Sequence, residues 1–126
     1  MVGIVVIAHS AVLAEGVAEV ARVMGMGEAA VEPAGGDADG GLGTSLERVE
    51  RAARAADRGD GVVLLADIGS SVMTAKLFVE DAEGPVAFAD APLVEGAVAA
   101  ASMAATGADL AAVAAAAEAA HDFRKA

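Results

Sequence analysis

Two short apolar runs do most to decide what this chain can become: "GIVVI", within Val2–Ala8, and "GVVLLA", Gly61–Ala66. Both are unbroken and rich in β-branched residues, the pattern of strands covered on both faces rather than one. Strands of that kind belong to parallel sheets, where crossover helices cover both sides. Two weaker runs, Ala29–Glu32 and Pro85–Ala89, complete a predicted set of four strands.

Helical patterns fill the gaps. In the first, Leu13, Val17, Val20, Ala21 and Met24 recur on one face, with Glu15, Glu19 and Arg22 opposite, and Gly25-Met26-Gly27 stops it. The second opens with "TSLE", a capping box in which Thr44 caps and Glu47 reaches back, followed by the pairs Glu47–Arg51 and Glu50–Arg54. A third starts at Ser70 or Ser71 and runs to about Asp81. The stretch Val94–Phe123 reads as two Ala-rich helices broken at Thr106–Asp109, with Asp109 capping the second. Met24, Met26, Met73 and Met103 read as core fillers. This alternation predicts one α/β domain over residues 1–126: a doubly wound, mainly parallel four-stranded sheet of order 2-1-3-4, with helices on both faces. Ligands of such sheets bind at the carboxyl edge, where the winding reverses between strands 1 and 3.

Charge narrows the function. Nineteen acidic against 8 basic side chains give a net charge of −11, which argues against nucleic-acid binding and suits a partner with a basic patch. With no cysteine there is neither a disulfide framework nor a thiolate metal site, and two histidines argue against a histidine-rich one, so no metal or cofactor is expected. Val2–Ala8 is too short for a signal peptide core and no basic segment precedes it. The longest uncharged stretch of the Ala-rich part, Gly96–Ala108, falls short of the roughly 20 residues of a membrane span. The expectation is a cytosolic, soluble protein with no membrane insertion.

The reversal rule sets two loops side by side, "AHSAV" after strand 1 and "ADIGSSV" after strand 3. His9 ends a strand and begins a helix, where an imidazole can hold a phosphate beside the free N–H groups of a first turn. A histidine ring titrates near neutrality, so a ring nitrogen can attack phosphorus without a separate base. The plainer role for a lone histidine is capping or packing; its place at the reversal favours chemistry. Asp67 can accept the N–H of one ring nitrogen and leave the other free, or it can simply cap a helix. Gly69 permits close backbone approach, while Ser10, Ser70 and Ser71 offer hydroxyls to phosphate oxygens. The Gly/Asp-rich loop "PAGGDADGGLGTS" lacks a P-loop lysine and reads as a surface loop, yet its end, Gly43-Thr44-Ser45, reaches the same edge. His121, in the charged tail, reads as structural or idle.

These blocks, "GIVVIAHSAVLAEGV", "GGLGTSLERV", "LLADIGSSVMTAKL" and "APLVEGAVAAA", resemble the mannose family of enzyme IIA components of the bacterial phosphotransferase system. "DIGSS" and "APLVEG" are closer to its dihydroxyacetone kinase branch than to its sugar-transport branch. The resemblance implies an α/β homodimer whose phosphorylated histidine falls on His9, with Asp67 as the acidic partner. It implies HPr as phosphoryl donor and, as acceptor, ADP held on the DhaL subunit of a DhaK–DhaL kinase that phosphorylates dihydroxyacetone. Alternatives are a sugar-transporter enzyme IIA acting on a IIB partner, a phosphorylation-dependent regulatory module, and a nucleotide-binding domain without a covalent step.

Overall fold

A computed structural model describes all 126 residues. The elements run β1 (Gly3–Ala8), α1 (Ala11–Met24), β2 (Val31–Gly35), α2 (Leu46–Ala56), β3 (Val62–Ala66), α3 (Gly69–Asp81), β4 (Val86–Phe88), α4 (Leu93–Ala104) and α5 (Leu110–Glu118), then a 3₁₀ turn at Ala119–Asp122. The sheet is four-stranded and parallel in the order β2-β1-β3-β4, as the sequence predicts. The central strands β1 and β3 are buried at every position. One face packs Ile4, Val6, Val63 and Leu65 against α1, α4 and α5; the other packs Val5, Ile7, Val62 and Leu64 against α2 and α3. Each such side chain contributes roughly 1.5–3 kcal/mol of burial, so the middle of the sheet is the most strongly held part of the chain. No helix is long and apolar enough to cross a membrane.

Several expectations shift. β2 begins at Val31, not Ala29, and runs through Pro33 to Gly35. Proline argues against a central strand, but β2 is an edge, where a missing N–H costs no ladder bond. The buried face of α1 is Ala14, Val17, Ala18 and Ala21, whereas Leu13, Val20 and Met24 are exposed. The helix is thus turned from its predicted seat, because it meets α4 across alanines: Ala97, Ala100, Ala101 and Ala104 are all fully buried. Small residues let two helices approach closely and leave no room for larger ones at the seam. A Cβ added at Gly25 would lie 3.1 Å from the Ala101 Cβ.

The methionines are not core fillers. Met26 is 83% exposed, Met73 68% and Met24 53%, and Met103 is at the surface as well. Valine, leucine, isoleucine and alanine fill the interior without them. Ser45, not Thr44, caps α2, its hydroxyl accepting from the Arg48 N–H at 3.2 Å. Asp109 caps α5 as predicted, accepting from Ala112 N–H at 2.9 Å. The Gly/Asp-rich loop is ordered around Asp37, whose Oδ1 accepts from the N–H groups of Asp39 and Gly41 at 2.9 and 2.8 Å.

Candidate active site

β1 and β3 run side by side and end together, with β1 leading into α1 and β3 into α3. His9 and Asp67 are the residues that follow the two strands, so the topology alone brings them within reach. The backbone then fixes their positions. The His9 N–H donates to Asp67 Oδ2 at 3.0 Å, the Asp67 N–H to the Ile7 carbonyl at 3.0 Å, and the Gly43 N–H to the His9 carbonyl at 2.9 Å. Gly43, at φ +146°, turns the chain there, and Asp37 fills the space a side chain would need.

The imidazole is held at both nitrogens. Nδ1 lies 3.0 Å from Asp67 Oδ1 and 3.2 Å from Oδ2; Nε2 lies 2.8 Å from the Ser70 hydroxyl. A carboxylate only accepts, so Nδ1 carries the proton and Nε2 presents its lone pair, to which Ser70 O–H donates. The ring is 29% exposed and the Asp67 side chain 12%, so the imidazole is more open to solvent than the carboxylate that holds it. Burial pushes the Asp67 carboxyl up. Hydrogen bonds from the His9 backbone, the Ser71 hydroxyl, the Ile68 backbone and the His9 ring together outweigh it and hold the group below its ordinary range.

The hydroxyls divide by task. Ser71 is fully buried, 3.1 Å from Nδ1, and lies on the carboxylate side of the ring rather than beside Nε2. Since Nδ1 gives its single proton to Asp67, the Ser71 proton goes to the carboxylate. Ser10 caps α1, accepting from Leu13 N–H at 3.2 Å, so Ser10 and Ser45 both commit a lone pair to a helix. Ser70 and Thr44 cap no helix; the first bonds Nε2 and the second accepts from Thr74. No side chain caps α3, and Asp67 is not its cap: Ile68 occupies that position. No side chain claims the leading N–H groups of α3, and the Ser71 N–H turns back to the Ile68 carbonyl at 3.0 Å. Gly69 has nothing within 4 Å of where its Cβ would be, so its φ of +39°, rather than a close approach, explains the glycine.

Sequence reasoning passed over Thr74. Its hydroxyl donates to Thr44 Oγ1 at 3.1 Å, tying α3 to the entry of α2. The signal was its spacing: Thr74 is one helical turn beyond Ser70 and shares its face. His121 lies outside the site, with its Nε2 2.8 Å from the Asp90 carbonyl, pinning the C-terminal turn to the residues after β4.

Comparison with known proteins gives the family. Residues 3–114 match a family model described as the phosphotransferase system fructose IIA component, mannose-type. The chain is 35% identical over 117 residues to the phosphoryl donor subunit DhaM of the PEP-dependent dihydroxyacetone kinase of Escherichia coli K12, covering 87% of this chain and 25% of that protein. It is 33% identical over 100 residues to the corresponding subunit of dihydroxyacetone kinase 1 of Listeria innocua, covering 79% of each. A crystal structure of a protein of unknown function, EF1359, superposes with a TM-score of 0.80 at 30% identity, over 93% of this chain and 92% of that one. The chain spans about a quarter of the length of the enterobacterial relatives. It belongs to the mannose-type enzyme IIA family of the phosphotransferase system.

Proposed function

We propose that this protein is a phosphocarrier of a PTS-dependent dihydroxyacetone kinase, taking a phosphoryl group on His9 Nε2 and passing it on. One observation carries the reading: Asp67 holds Nδ1 at 3.0 Å while Nε2 stands free of backbone at the sheet edge. The Nε2 lone pair attacks the phosphorus of the donor, HPr, as the donor's own N–P bond breaks. Nδ1 keeps its proton throughout, so the phosphorylated ring is cationic and Asp67 balances its charge. In the second half the Nε2–P bond breaks toward a terminal oxygen of ADP held on DhaL, forming ATP and returning His9 to its starting tautomer. Ser70 swings its proton from Nε2 to a phosphoryl oxygen, Thr44 supplies a second donor, and the leading N–H groups of α3 and α1 add favourable dipoles. Positioning and charge balance suffice for such a step.

The relatives' names, phosphoryl donor subunits of dihydroxyacetone kinase, support this choice of acceptor. A second reading, enzyme IIA of a sugar transporter feeding a IIB subunit, is favoured by the family model's own description. The working form in either case is a cytoplasmic homodimer, for which the open edge of β4 beside exposed Met73 and Leu77 gives a seat. Incubation with radiolabelled phospho-HPr should place an acid-labile, base-stable label on the protein, and His9→Ala should lose it while keeping the wild-type circular dichroism spectrum. Adding DhaL–ADP should then discharge the label and a sugar-specific IIB should not. Label surviving His9→Ala would refute the site, and discharge to IIB alone would exchange the two readings.

A further inference from the structure

We infer that Thr74 is a positioning residue for phosphoryl transfer, turning the Thr44 hydroxyl proton toward the group carried on His9. The inference rests on the phosphocarrier reading. A threonine inside a helix ordinarily returns its hydroxyl to the carbonyl three or four residues back. Thr74 instead reaches across to α2's entry, donating to Thr44 Oγ1 at 3.1 Å. A hydroxyl that accepts on its oxygen has its own proton left to give. Thr44 makes no other side-chain hydrogen bond, and no buried polar side-chain atom of the protein lacks a partner.

The placement makes that spare proton useful. Gly43, the residue before Thr44, bonds the His9 carbonyl at 2.9 Å, so Thr44 is tied to the backbone of the nucleophile. Thr74 stands one turn beyond Ser70 on the same face of α3, and Ser70 Oγ is 2.8 Å from Nε2. α3 thus connects the two hydroxyls: Ser70, in its first turn, touches Nε2 directly, and Thr44, in the loop whose Gly43 holds the His9 carbonyl, is tied to the same face through Thr74. Both threonines are half-buried, which keeps water from replacing the contact freely.

The test uses two donors, potassium phosphoramidate and phospho-HPr, with His9 phosphorylation followed by phosphorus NMR and by label. Thr74→Val, which keeps the shape and removes the hydroxyl, should slow phosphorylation by about 5- to 10-fold, the worth of one ordinary hydrogen bond between neutral groups. Thr74→Ser should restore most of the rate. Thr44→Val should slow it comparably, and the double variant should be no slower than Thr44→Val within about twofold, since Thr74 acts only through Thr44. Multiplying losses, an unaffected Thr74→Val, or a Thr74→Ser as slow as valine would each overturn the assignment. A wild-type chain labelled by neither donor would overturn the phosphocarrier reading and this inference together. Labelling by phosphoramidate but not by phospho-HPr would remove HPr alone and leave the Thr74 comparison to be read.

Discussion

Asp67 touches His9 twice, once through the backbone N–H and once through the ring. The two contacts have separable consequences. Asp67→Asn can still accept from the backbone N–H, but it cannot balance a cationic ring, and its amide can donate to Nδ1 and so favour the wrong tautomer. Phosphorylation by phospho-HPr should therefore slow by about 10- to 100-fold, the range set by hydrogen bonds to charged groups. An unchanged rate would reduce Asp67 to a structural bond. Stability gives a second readout. The folded carboxyl lies below its ordinary range, so the folded state releases its proton more readily than the unfolded chain. Its contribution is fully present above the unfolded value of about 3.9 and fades as pH falls through the lower folded value. In urea titrations the gap between wild type and Asp67→Asn should hold steady from about pH 5 to 7 and close below about pH 4. A gap that widens on acidification would contradict the sign.

Among the elements, the join between β2 and α1 is the tightest constraint on the site. A Cβ at Gly35 would lie 2.5 Å from the Ser10 carbonyl oxygen and 2.7 Å from the Ala11 Cα, both backbone atoms with nowhere to go. Gly35→Ala should cost about 1–3 kcal/mol in denaturant unfolding and slow His9 phosphorylation, because the strain falls on the cap of α1. Loss of stability without loss of rate would show that α1's entry does not set the ring. The join also marks the limit of what the sequence made legible. β1 and β3 stand out because continuous β-branched runs have one economical use, and the residues after them inherit the site. β2 did not stand out, because Pro33 disguises an edge strand and "VEPAG" has no alternation to follow. The face of α1 was misjudged because alanine is apolar without being large, so periodicity weighted toward Leu13 and Met24 picked the wrong side. Thr74 stayed hidden because its partner lies in another loop, a pairing that only the folded chain brings about.

For the whole molecule, charge shapes how partners arrive. The net charge of −11 is an ample source of long-range attraction for a basic protein surface, and Asp37, Asp39 and Asp90 stand on loops at the same sheet edge as His9. Rim charges of this kind act on the association rate more than on the chemical step. The second-order rate of labelling by phospho-HPr should fall by roughly threefold or more between about 20 and 300 mM salt, while labelling by phosphoramidate barely changes. Equal salt dependence for both donors would leave the acidity to solubility alone. The alanine seam between α1 and α4 bears on the same question from inside. A methyl side chain has no rotamers to choose among, so apart from Val17 the seam loses no side-chain entropy in forming. α1 is seated at little entropic cost, and the imidazole is mounted at its threshold. A ring that must greet one visitor after another in the same attitude thus stands on a helix whose inner face gives up almost no side-chain freedom to hold it there.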